Sequence, residues 1–211
     1  MVPFIGGATP TWPKHARVWH LYALPDLTLP ENRRFTDLAQ RHRDILAERF
    51  AHVVVPVAPQ WLHATVAMVT TPQVPDLSPA TLDRLFEELS SALRPLEPIT
   101  VWAAPHVGRT GPGLDLAPDE GFAELAAATN TVLDRVLDQR SPYHPPAPHI
   151  TTGYCHQDGD SGPVASALRA SRPTRAPLTF EQVCLIQVAQ DARAHTYTWA
   201  EPAALIPLRG R

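Results

Sequence analysis

Two β-favouring runs, 86 residues apart, begin with the same step: His63-Ala64-Thr65 and His149-Ile150-Thr151. Side chains alternate faces along a strand, so a histidine and a threonine two apart share one face. After the first run come Asp76-Leu77-Ser78-Pro79, an amphipathic segment, and Pro98-Ile99-Thr100. After the second come Asp160-Ser161-Gly162-Pro163, another such segment, and Pro177-Leu178-Thr179. The order strand, capped helix, strand therefore occurs twice with the His-x-Thr step at the same place. A duplicated unit folds as two related lobes, and its motif strands can face each other across a groove. That groove would hold two imidazoles and two hydroxyls.

The remaining pattern fits a mixed α+β chain. Residues 18–24 and 53–57 read as strands, and 61–69 as the first motif strand. Residues 31–50 read as a helix with Phe35, Leu38, Ala39, His42 and Leu46 on one face. Ser78 caps a second helix that has proline at its first position and ends at Pro95. Residues 99–103 and 114–116 are strands around a Gly-rich turn at 108–113, and 119–137 is a helix. The second motif strand covers 149–155, a further helix 163–170, and paired strands 178–188 and 195–199.

Composition sets limits on partners. The 211 residues suffice for one sizeable core, so residues 1–211 are read as a single bilobal domain, with 1–17 a loosely ordered N-terminal segment. A formal net charge of −3 argues against broad coating of nucleic acid and leaves room for a nucleotide or short RNA held locally. Lys14 is the only lysine, so cationic work falls to arginine. The 24 prolines are dispersed and read as loop stiffening. No run approaches the ~20 apolar residues of a membrane span, and residues 1–15 lack the apolar stretch of a signal peptide. Cys155 and Cys184 read as free buried thiols. The expectation is a cytoplasmic monomer.

On the paired His-x-Thr steps, on Pro148 just before His149, and on 114–116 before a long helix, the chain resembles the 2H phosphoesterase superfamily. That superfamily includes RNA 2′,3′-cyclic phosphodiesterases and 2′-5′ RNA ligases. The resemblance runs from the strand at 18–24 to that at 195–199. It implies a bilobal α+β fold with antiparallel sheets around a central cleft and helices outside. It implies His63 and His149 as catalytic, and Thr65 and Thr151 as donors to phosphate oxygens. Thr152, at the fourth position of the second motif, is polar where an apolar residue is commoner in the family.

The chemistry expected is hydrolysis of a 2′,3′-cyclic phosphate, or of a 2′-5′-linked relative, with one histidine as general base and the other as general acid. Two alternatives remain: a nucleotide- or RNA-binding module without turnover, and a hydrolase of another cyclic phosphoester such as an ADP-ribose cyclic phosphate. Trp61 shares the parity of His63 and either stacks a base or fills the core. Ala67 and Gly153 share the motif faces, and their small size suits a groove. Tyr154 alternates to the opposite face. Tyr143, Trp102 and His106 border the cleft without an assigned role. His144, His149 and His156 match no zinc spacing, so neither metal nor cofactor is expected.

Overall fold

The computed structural model describes residues 1–74, 76–139, 141–142 and 147–210. Tyr143 and His144 lie outside the described residues. Four helices among the described residues carry apolar stripes that cover the sheet. α1 (Arg33–Arg49) buries Phe35, Leu38, Ala39, His42 and Leu46, the face that the helical spacing predicts. α2 (Pro79–Leu93) starts where Ser78 Oγ accepts the Thr81 N–H at 3.2 Å. α3 (Glu120–Leu137) buries Phe122, Leu125, Val132 and Leu133. α4 (Ser161–Ala170) is capped by Asp160, whose carboxylate accepts the Gly162 N–H at 2.9 Å. Asn32 fixes the start of α1, bonding the backbone of Asp26 and Thr179 through its amide.

The strands are β1 (Val18–Ala23), β2 (Val54–Pro56), β3 (Ala64–Met68), β4 (Ile99–Val107), β5 (Pro112–Ala117), β6 (His149–Thr151) and β7 (Gly153–Cys155). They continue with β8 (Ala176–Phe180), β9 (Gln182–Asp191), β10 (Thr196–Trp199) and β11 (Ala204–Pro207). Nine of them form one antiparallel sheet in the order β10-β9-β1-β3-β6-β5-β4-β8, with β11 also on β9. β2 and β7 make a separate two-stranded ribbon. The halves meet where β3 pairs β6, at Ala64 opposite Ile150. One large apolar cluster runs beneath the whole sheet. A smaller one fills the space between α1, β2, β7 and α4.

The two strand–helix–strand units are interleaved rather than each making its own half. β3 lies on one side of the β3–β6 seam, and β4, the closing strand of the same unit, lies on the other, beside β8. There Thr100 pairs with Thr179, and their hydroxyls are 3.0 Å apart. In turn β9, β10 and β11 return to the first half and pair with β1 or with one another. Residues 1–17, expected as a loose segment, make backbone bonds to β7 and to the turn between β4 and β5.

The continuous strand expected over 149–155 is broken at Thr152. β6 belongs to the large sheet and β7 to the ribbon. Thr152 is buried and its hydroxyl has no hydrogen-bond partner. The first motif strand also begins later than its pattern suggests: Pro59–Trp61 is a 3-10 turn and β3 starts at Ala64. The register of β3 on β1 then slips beyond Thr65, as Leu21 faces Ala67 while Tyr22 faces Thr65. Both motif strands thus lose simple alternation just after their threonine. Ala67 is buried in the core and Met68 lines the cleft. Gly153 is small for a different reason from groove space: a Cβ there would lie 2.5 Å from Val54 and 3.2 Å from Leu46 of α1.

The Gly-rich turn at 108–113 closes the β4–β5 hairpin, with the Gly108 N–H donating to the Gly111 carbonyl at 3.0 Å. A Cβ on Gly111 would sit 2.1 Å from the Gly153 carbonyl oxygen. Backbone meets backbone there, so no rotamer relieves the clash. Gly111→Ala is expected to cost at least about 2–3 kcal/mol, read as a lowered urea midpoint. An unchanged midpoint would mean that hairpin and ribbon do not touch.

Candidate active site

A cleft of about 580 Å³ runs over the seam of the sheet and is lined by His63, Thr65, His149 and Thr151 together. The antiparallel register explains this. Ala64 and Ile150 occupy equivalent places in their motifs and pair directly, so a local twofold passes between them. One step either way, His63 comes opposite Thr151 and Thr65 opposite His149. Ala64 and Ile150 themselves point into the core. Same-face parity then sends the four polar side chains to the other surface. Met68 and Tyr154, each three residues beyond its threonine, line the same cleft.

Each catalytic candidate is held in one tautomer by the carbonyl two residues before it. His63 Nδ1–H donates to the Trp61 carbonyl at 2.8 Å, and His149 Nδ1–H donates to the Ala147 carbonyl at 3.0 Å. Nε2 remains for proton transfer on both rings. Their surroundings differ. His63 is only 8% exposed, stacked on Tyr22 with ring centroids 4.1 Å apart and edge-on to Trp199 at 5.2 Å. Burial, with the nearby His149 adding to it, pushes its pKa down to about 4. His149 is partly open to solvent.

Trp61 is not among the cleft-lining residues. Its ring meets Trp199 edge-on at 4.9 Å, and its carbonyl carries the His63 bond. Tyr154 does line the cleft, contrary to strict alternation, because the break at Thr152 moves it onto the motif face. Cys155 is consequently buried in the smaller apolar cluster, and burial pushes its thiol pKa up. Trp102 lies on the outer surface under Arg175, 4.7 Å from the guanidinium carbon to the ring centre. His156 binds the Ala51 carbonyl at 3.1 Å.

Other residues of the cleft escape pattern reading. His20 and Tyr22 alternate along β1, and both line the cleft. His20 Nδ1–H donates to the Val18 carbonyl at 3.1 Å, the same lock that holds the two motif histidines. Burial pushes its pKa down to about 3. Asp115 stands opposite His149 across the β5–β6 pair, and its carboxylate is 3.4 Å from His106 Nδ1. The His-x-Tyr spacing in β1 was the one signal available for His20 and Tyr22. Asp115 needed the register, whereas His106, expected at the border of the cleft, does line it.

Fold and cleft together define a two-half α+β protein that sets a pair of His-x-Thr faces on one seam. Comparison with protein families matches residues 34–192 to the 2′-5′ RNA ligase superfamily. The chain belongs to that superfamily, and with it to the 2H phosphoesterases. Solved structures agree on the fold. E. coli LigT in apo form superposes with TM-score 0.59 at 15% identity, over 92% of this chain and 98% of that one. TT0787 of Thermus thermophilus gives 0.59 at 19% identity, over 92% and 98%. E. coli LigT complexed with 3′-AMP gives 0.57 at 16% identity, over 92% and 99%. A comparison with curated proteins finds no match. No described helix is long and apolar enough to cross a membrane.

Proposed function

We propose that this protein hydrolyses the 2′,3′-cyclic phosphate of a nucleotide or RNA end, with His63 as general base and His149 as general acid. The observation that carries the reading is the β3–β6 pairing at Ala64 and Ile150, which turns both His-x-Thr faces into one cleft. The E. coli LigT complex with 3′-AMP supports a nucleotide phosphate as the ligand class.

The roles follow from environment. A buried imidazole with its pKa near 4 is neutral at physiological pH, and its Nδ1 proton is committed to the Trp61 carbonyl. Nε2 therefore offers a lone pair to water. The anionic phosphate opposes the effect of burial once bound, which strengthens the base where it is used. Water attacks phosphorus as His63 Nε2 takes its proton. The P–O bond to one ribose oxygen breaks, and that oxygen receives the Nε2 proton of His149. Hydroxyls of Thr65 and Thr151 donate to the two non-bridging oxygens, where charge grows in the transition state. The product is a phosphomonoester, and the two histidines have exchanged protonation states. The chemistry uses no metal.

The test is incubation of 2′,3′-cyclic AMP, and of an RNA ending in 2′,3′-cyclic phosphate, in excess EDTA with phosphorus NMR. Conversion to a monoester is the expected result. Absence of conversion for both substrates would overturn the reading.

A further inference from the structure

One wall of the cleft is built by a segment that lies outside the family match, which begins at residue 34. Residues 1–12 pass from one half of the molecule to the other. Near one end the Val2 N–H donates to the Arg109 carbonyl and the Phe4 N–H to the Cys155 carbonyl, both at 2.8 Å. These bonds tie the segment to the β4–β5 turn and to β7. Near the other end the Trp12 N–H donates to Gln190 Oε1 at 2.8 Å. Gln190 Nε2 in turn donates to the Pro10 carbonyl and to the Tyr197 hydroxyl, both at 3.2 Å. These bonds tie it to β9 and β10. The segment is a strap held at both ends, with a Thr9 N–H to Phe4 carbonyl bond of 2.7 Å closing its middle.

The strap brings two rings into the cleft. Phe4 stacks on Tyr154 at 4.9 Å and 13°. Trp12 lies 5.2 Å from Tyr197 and is stacked with His20 at 6.4 Å. Ring contacts then continue from His20 to Tyr22 at 5.0 Å and from Tyr22 to His63 at 4.1 Å. An unbroken aromatic wall thus leads from the strap to the catalytic imidazole. Among the described residues lining the cleft there is no lysine or arginine. A ligand gains its hold there from ring faces, hydroxyls and imidazoles.

We propose that the strap is the nucleobase-recognition element: Phe4 and Trp12 complete an aromatic subsite for the base of a substrate whose phosphate lies between His63 and His149. The proposal rests on the phosphodiesterase reading for the position of the phosphate. A planar base gains most from such a wall, because every base has a π face, and one stacked base is typically worth a tenfold to hundredfold change in affinity, roughly. A cyclic phosphate without a base gains nothing from it.

Equilibrium titration with adenosine 3′-monophosphate and with methyl riboside 3-phosphate, the same phosphate without a base, tests this directly. The wild type is expected to prefer the nucleotide by about tenfold or more. Trp12→Ala and Phe4→Ala should each remove most of that preference while leaving the riboside Kd within about twofold, and Trp12→Phe should restore part of it. A wild type without preference, or variants that weaken both ligands equally, would overturn the proposal. Turnover is read separately. A protein that prefers the nucleotide through the strap but hydrolyses nothing loses the phosphodiesterase reading alone. One that hydrolyses a base-free cyclic phosphate as efficiently as 2′,3′-cyclic AMP loses the strap proposal alone.

Discussion

Alanine at either His63 or His149 is expected to lower kcat/KM for 2′,3′-cyclic AMP by about 10²–10⁴-fold, the contribution of one acid–base role. The two effects should not multiply. In the proposed mechanism base and acid act in one proton relay, so the double variant should be little worse than the less active single variant. The variants should differ in stability. His63 is buried against Tyr22 and Trp199, so His63→Ala opens a void and lowers the urea midpoint. His149 is partly open to solvent, so His149→Ala should leave the midpoint nearly unchanged. Activity within tenfold of wild type in either variant, with the fold intact, would remove the two-histidine mechanism.

Stability should fall steeply as pH drops below about 6. His20, His42 and His63 are buried, and burial pushes their pKa values down to about 3, 4 and 4 from 6.5. A depressed histidine favours the neutral form in the folded state. The unfolded chain therefore takes up protons first, so the contribution is complete above about 6.5 and is lost as pH falls towards the folded value. A tenfold difference in proton affinity between folded and unfolded chain corresponds to about 1.4 kcal/mol. For His42 alone that is roughly 3 kcal/mol, a large share of the ~5–15 kcal/mol that holds a domain folded, and His20 and His63 act in the same direction. Both ring nitrogens of His42 are buried without partners. His42→Leu should therefore stabilise by ~1–2 kcal/mol at pH 7, and by more at pH 5. Urea midpoints between pH 7 and 4.5 measure both effects. A flat wild-type profile would refute the assignment of neutral buried histidines.

The His-x-Thr steps were legible because strand alternation alone puts the two side chains of each step on one face. The helices were legible for a similar reason: the stripe from Phe35 to Leu46 and the Ser78 cap are local signals. Alternation failed where tertiary pairing intervened. Thr152 breaks its strand because the chain there passes from β6, in the large sheet, to β7, in the ribbon. This moves Tyr154 into the cleft and Cys155 into the core. The register slip beyond Thr65 does the same for Met68. The aromatic wall was illegible for another reason. Phe4, Trp12 and Tyr197 are far apart in the chain, and they meet through the Phe4 N–H bond to Cys155, the bonds of Gln190 and the return of β9 and β10.

The interleaving of the two halves also shapes how the chain reaches this state. β1 must pair with β9, bringing Val18 beside Val188, before the first half has a complete sheet. The strands of the second half, β4, β5, β6 and β8, are all present by Phe180, whereas no stretch of chain that stops short of β9 contains the first half whole. Loop closure over so long a span is entropically costly and gives high contact order. Folding should therefore be slow for a chain of this size, with the β1–β9 pairing as its late step. Unfolding should be a single cooperative transition in which the β3–β6 seam and both halves are lost together.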